Sequence, residues 1–189
     1  MTAPDYIFPD NTVLINFAII GQLPLLKELL QGKGAWVAAV AAECELSVLT
    51  GLYPTLGTVA AMMAEPLMPT AAERVDGRAI RNDIAAPYEP FPKSYGEAET
   101  LAIIERRNLS ALVITDDGGV GRYVKDKKLG VKVLSTTDIL ALSVRTGRLT
   151  QSAGEVHIAT LCAANRRRVS LNLFRAALPP AATGQFVKK

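Results

Sequence analysis

An α/β fold, with a parallel sheet covered by helices on both faces, is what this sequence predicts, and three observations predict it. Strand-like and helix-like segments alternate from Ala98 to Gly147, an order that joins parallel strands through right-handed crossovers. The stretch "ALVIT" is apolar in four successive residues rather than at every second one, as befits a strand buried on both faces. Hydrophobic residues make up 49% of the 189 and charged residues 21%, enough to bury the core that such a sheet needs and too apolar for a disordered chain.

Taken in order, "YIF" at Tyr6 to Phe8 reads as a short strand. Asp10 and Asn11 follow as the cap of a helix that carries Val13, Leu14, Phe17 and Ala18 on one face, because a short polar side chain satisfies the free amides of a first turn. A second helix covers about Leu23 to Leu30 and ends at "QGKG", where glycine allows the chain to leave the helix. "AWVAAV", from Ala35 to Val40, reads as a second strand, and "AAECELSVLTG" as a helix stopping at Gly51. From Tyr53 to Lys93 the segments "TLGTVAAMMAE" and "TAAERVDGRAIRNDIA" look helical between proline-punctuated connectors, so this stretch reads as a cap or lid. "GEAETLAIIERRN" is a helix closed by Asn108, "ALVIT" a buried strand, "VGRYVKDKKLG" a helix ending at Gly130, and "VKVLST" another strand. "TDILALSVRTG" is then a helix capped by Thr136 or Thr137. One domain over 1–149 is expected, with a helical extension over 150–189 whose last stretch, "PPAATGQFVKK", frays.

Composition narrows the chemistry. The longest uninterrupted apolar run, Ala35 to Ala42, falls well short of the roughly 20 residues a membrane span requires. The start, "MTAPDYIFPD", has an acid where a secretory signal would be basic, so a cytoplasmic location is expected. Cys44 and Cys162 are far apart and lack a CxxC partner, which leaves neither a disulfide framework nor a zinc site. The single histidine, His157, removes two-histidine metal sites and Ser-His-Asp triads; it reads as a packed or surface side chain, and Trp36 as core rather than a stacking platform. A net charge of +3 permits a polyanionic partner without demanding one. The basic residues fall in three stretches, Arg74 to Arg81, Lys125 to Lys128 and Arg166 to Arg168, each of which serves equally as a solvated helix face.

The acidic residues fall at the ends of elements. Asp10 follows the first strand, Glu43 and Glu45 lie early in the helix after the second, Glu97 and Glu99 open the helix before "ALVIT", and Asp116 and Asp117 follow it. A helix dipole alone favours such placements by roughly 0.3–1 kcal/mol each. In a parallel sheet, however, those positions converge on one edge, where ligands bind. Several acids there repel one another unless a cation neutralises them, and an all-oxygen donor set suits Mg2+ or Mn2+. Residues two apart on a helix point about 200° from each other, so Glu43 and Glu45 serve different faces, as do Glu97 and Glu99. One member of each pair is therefore expected at the site.

The ordered segments "PDNTVLINF", "VAAVAAECE", "GEAETLAI" and "VITDDGGVGRYVKDKKLGVKVLSTTDILAL" resemble the PIN-domain ribonucleases, in particular the branch with a GEAE and a TDD motif. The resemblance covers about Tyr6 to Leu149. It implies a three-layer α/β/α sandwich around a central parallel sheet and a metal-dependent nuclease site. Asp10 matches the family's first acid, Glu43 the second and Glu97 the third; Asp116 or Asp117 supplies the last, with Asp117 preferred as the one touching metal. Thr115 resembles the Ser/Thr that supports that last acid, and Asn11 stands beside the first. What the resemblance further implies is RNA as substrate, Mg2+ or Mn2+ as cofactor, a homodimer, and a role as the toxin of a toxin–antitoxin pair with an antitoxin protein as partner.

In that reading the carboxylates hold the ion, a metal-bound water attacks the phosphodiester, and Arg122, Lys125 and the Arg74 to Arg81 stretch position the phosphate backbone. Two alternatives stand beside it. One is a PIN-like module that binds RNA or protein without cutting. The other is a doubly wound phosphatase with Asp10 as nucleophile, against which Thr12 stands where a second aspartate is wanted.

Overall fold

The structure, a computed structural model, describes residues 3–166 and 168–178. Arg167 of the third basic stretch and the expected fraying tail at 179–189 lie outside them. The uniformly apolar ALVI has no face suited to water, and Ala111–Ile114 is the middle strand, β2, of a three-stranded parallel sheet. It is flanked by β1 at Tyr6–Pro9 and β3 at Lys132–Leu134. The register pairs Tyr6 with Ala111 through Pro9 with Ile114, and Leu112 with Lys132 through Ile114 with Leu134.

"AWVAAV" does not form the expected strand. Only single bridges, Ile7 with Gly34 and Val37 with Leu67, mark it as extended, and a helix begins at Ala38. The alanines that follow Val37 are strong helix formers, so the extended part is confined to 34–37. Pro9 fits this arrangement. Ile7 donates its N–H to Lys33, and by alternation the N–H that Pro9 lacks falls on the same thinly paired side.

The chain divides into two compact units, 1–136 and 137–189, so most of the helix over Thr136–Arg145, expected within the first domain, goes with the second. The first unit holds the sheet together with α1 (Asn11–Ile19), α2 (Leu23–Leu30), α3 (Ala38–Leu49), a 3-10 helix at Pro54–Met62, α4 (Ala71–Ile84), α5 (Tyr95–Arg107) and α6 (Gly118–Asp126). Val13, Leu14, Phe17, Leu26, Leu101 and Ile103 are fully buried in its core. Trp36 is buried too, its Nε1 donating to the Ala64 carbonyl at 2.9 Å. The second unit holds α7 (Thr136–Arg145) from its second residue on, with α8 (Gln151–Ala163) and α9 (Leu171–Ala176). There Phe174 packs against Gly154 so closely that a Cβ would lie 2.5 Å from the ring. His157 lies on α8 with its Nε2 buried and unpartnered, and burial lowers its pKa. Among the described residues no helix is long and apolar enough to cross a membrane.

Within the segment expected to be a cap or lid, α4 packs lengthwise on α5. Its buried positions are Glu73, Gly77, Ile80 and Ile84, a helical stripe in which only two members are apolar. Glu73 is held by a bidentate pair with Arg107, at 2.7 and 2.9 Å, and closes a capping box with Thr70. Arg106 pairs with Asp76 one turn along. The hydrogen bond from Arg107 is the main reason that the Glu73 carboxyl falls from its ordinary 4.5 to about 2.

Glu73→Gln is expected to destabilise the fold by roughly 2 kcal/mol, since it leaves a buried group half satisfied beside a partly solvated Arg107. A folded-state pKa below the unfolded value stabilises above that value and not beneath it. Urea unfolding should therefore show the difference in full at pH 7 and see it shrink between pH 4.5 and about 2.

Candidate active site

The pocket begins where the strands stop. The Asp10 N–H donates to the Ile114 carbonyl at 2.9 Å, and the Thr115 N–H to Leu134 at 2.9 Å, so the ladder runs one residue past each strand. Those two bonds set Asp10 beside Thr115. The Thr115 hydroxyl donates to Asp10 Oδ2 at 3.4 Å and accepts the Asp117 N–H at 3.0 Å, which ties both acids to one side chain. Asp10 occupies the N-cap position of α1, with the amides of Thr12 and Asn11 at its carboxylate. Asp117 does cap its helix: Oδ1 accepts the Gly119 N–H at 2.5 Å. Gly119 is required there, since a Cβ would lie 2.1 Å from the Ile84 carbonyl oxygen.

Two further acids arrive from α3 and α5. Glu43 reaches over the first turn of α5, where a Cβ on Gly96 would lie 3.1 Å from Glu43 Oε1 and 3.0 Å from Val40 Cγ2. Glycine in "GEAE" thus has a steric role as well as a place in a motif. Glu97, next in sequence, keeps partial exposure and feels the charges of Asp10, Glu43 and Asp117. Glu99 is buried and accepts the Ala39 N–H at 2.9 Å, so it fastens the first turn of α3. Glu45 is exposed on α3 and lines an apolar groove with Trp36, Ala41 and Leu56.

Asp116 and Asp117 serve separate ends. Asp116 is buried, and its two oxygens accept from Asn16 Nδ2 at 2.8 Å, the Thr136 N–H at 2.9 Å and the Thr136 hydroxyl at 2.6 Å. It was expected among the metal ligands; these bonds join Asn16 of α1 and Thr136 to the end of β2. Thr136 correspondingly stands in the first turn of α7 rather than ahead of it as a cap. Asn16, wholly buried, also donates to Thr136 Oγ1 at 3.0 Å. Sequence reasoning passed over Asn16, whose one signal was an amide within the apolar run "VLINFAI". Asn11 reaches Ser47 at 3.5 Å and leaves its Oδ1 buried without a partner. Arg122 and Lys125 are exposed on α6.

Burial and mutual repulsion raise the acids together. Burial is the main cause for Asp10, carried from 3.8 to about 6, with the Asp116 charge adding and the Thr12 and Asn11 amides opposing. Burial again leads for Glu43, carried from 4.5 to about 7, and Asp10 and Glu99 add to it. Glu97 is pushed well above its ordinary value by burial and then by Asp10. Among the described residues, none of Asp10, Glu43, Glu97 and Asp117 forms an ion pair with a lysine or arginine. Nor does any group of three or more histidine, cysteine, aspartate or glutamate side chains there form a ready-made ion cage. Comparison with models of known families, with curated proteins and with solved structures finds no match.

Raised folded-state values make stability fall as pH rises, because the native state then holds protons that the unfolded chain has released. The loss runs from 3.8 to about 6 for Asp10 and from 4.5 to about 7 for Glu43, and stays constant above. Asp10→Asn is therefore expected to stabilise the metal-free protein at pH 8, by on the order of 2 kcal/mol, and to lose that advantage at pH 4. Thermal unfolding in EDTA at the two pH values checks this, and an unchanged difference would exclude the proposed burial of charge.

Proposed function

We propose that the protein is a metal-dependent endoribonuclease of PIN-like build, its helices forming the outer layers of an α/β/α sandwich around the parallel sheet. One observation carries the reading: carboxylates from the end of β1, α3, the start of α5 and the start of α6 gather with no basic side chain paired to them among the described residues, and burial followed by neighbouring charges raises Asp10, Glu43 and Glu97. Such a cluster is costly to ionise and is relieved by a cation. Its oxygen-only donors suit Mg2+ or Mn2+, and Mg2+ commonly takes one or two carboxylates and keeps several waters. A hydrated ion therefore agrees with a pocket that lacks a closed cage of three side chains.

Asp10, Glu43, Glu97 and Asp117 are the residues that would hold it, and an ion there would supply a water of lowered pKa and positive charge for the phosphodiester. Asp10 and Glu43, titrating near 6 and 7, would give up protons on binding. Thr115 orients Asp10 and Asp117 together, while Asp116 works at one remove by holding the end of β2 against Asn16 and Thr136. Arg122 and Lys125, three apart on one exposed face of α6, are suited to the phosphate backbone of the RNA. The resemblance to PIN-domain ribonucleases adds the toxin of a toxin–antitoxin pair as the biological role.

That no cage of three side chains stands among the described residues favours one second reading, a module that binds RNA or protein without cutting. Incubating the protein with a mixed RNA pool distinguishes them. Cleavage is expected with Mg2+ or Mn2+, none in EDTA or with Asp10→Asn, and a loss of about 10–100-fold with Thr115→Val, which touches the acids but carries no charge. Cleavage by the Asp10→Asn protein would overturn the site; bound metal without cleavage would favour the second reading.

A further inference from the structure

Between α4 and the loop that leads into α5 lies a second cavity, of about 380 Å3, lined by Arg78, Arg81, Asn82 and Phe91. That volume is within the range of roughly 300–1,000 Å3 seen for small-ligand sites. Its lining joins an aromatic ring to guanidinium and amide groups, which is unlike a gap in a core. Phe91 is 63% exposed. Single exposed apolar residues are ordinary, but this one is supported: the Tyr95 ring stands behind it, with centroids 5.4 Å apart and planes tilted by 59°. Arg81 fixes the loop on either side of the ring, donating to the carbonyls of Glu89 at 2.5 Å and Lys93 at 3.2 Å. With Arg81 so engaged, Arg78 is the exposed guanidinium of the cavity.

The same loop touches the acidic pocket. Ser94 donates to Glu89 at 2.5 Å, and its hydroxyl lies 3.5 Å from Asp117 Oδ2. The loop that carries Phe91 thus also meets the carboxylate cluster, through Ser94. We propose that Phe91, Arg78 and Asn82 form a nucleotide subsite, in which an unpaired base of single-stranded RNA stacks on the Phe91 ring while Arg78 meets its phosphate. This deepens the nuclease reading and rests on it. A stacking ring accepts any base that is free of a duplex, and a guanidinium beside it holds the backbone without reading sequence. Asn82 offers an amide to the base edge, the one member able to discriminate. Such a subsite would select for unpaired RNA next to the scissile phosphate.

Binding of a short labelled RNA measured in EDTA tests this without cleavage. Phe91→Ala is expected to weaken the single strand by about tenfold, Phe91→Trp to restore it, and neither to alter affinity for a duplex of the same sequence. Arg78→Gln is expected to reduce the slope of log affinity against log salt by about 0.7. Wild-type affinity in Phe91→Ala, or an equal loss on the duplex, would overturn the subsite. The two proposals fail separately: cleavage by wild type with Phe91→Ala unaffected in binding removes the subsite alone. Single-strand binding that depends on Phe91 without cleavage in Mg2+ or Mn2+ removes the nuclease reading alone, and no RNA binding removes both.

Discussion

The bond from the Asp10 N–H to the Ile114 carbonyl is the constraint on which the candidate site depends. It is a backbone contact, indifferent to side chains, yet it decides which residues of two distant segments stand together. One step further along β2 come Thr115, Asp116 and Asp117, whose alternating directions send one acid inward and the other toward the pocket. Everything that α3 and α5 contribute is aimed at a place this pairing has already defined.

Much of this was legible in the sequence. The strand and helix alternation gave β2, β3 and the helices between them, because uniform apolar runs and helical spacing are local signals. Asp10, Glu97 and Asp117 stand out in the sequence because each follows a strand or opens a helix; Glu43 is expected as following a strand that does not form, and it lies in the second turn of α3. What failed depended on tertiary partners. "AWVAAV" has strand-like composition, but only single bridges to Ile7 and Leu67 hold it extended before the alanines turn helical. The α4 stripe was hidden because Glu73 and Gly77 occupy half of it, and Glu73 is buried only by virtue of Arg107, thirty-odd positions away. Asn16 gave almost no sign, since an amide in an apolar run acquires meaning only when Asp116 and Thr136 are brought to it.

The pocket and the body of the protein are stabilised in opposite ways. Glu73 and Asp116 are buried acids with their hydrogen bonds answered, and they fasten elements together. Asp10, Glu43 and Glu97 are acids left in one another's field, and they weaken the fold whenever they ionise together. The difference lies in which partners the backbone brings: Arg107 to the first, Asn16 and Thr136 to the second, and other carboxylates to the third. Local strain of this kind, set within a well-satisfied scaffold, is a common mark of functional sites.

The adjacency of Asp116 and Asp117 has a consequence for assembly. A slip of β2 by one residue against β1 would reverse its faces, presenting Asp117 to Asn16 and Thr136 and turning Asp116 outward. The intruding carboxylate would forfeit its cap on Gly119, and the helix behind it would lose the close seat under Ile84. Either aspartate could fill the slot beside Asn16 and Thr136, so the doublet alone leaves the register open, and it is the cap on Gly119 and the glycine's seat under Ile84 that mark the correct alignment.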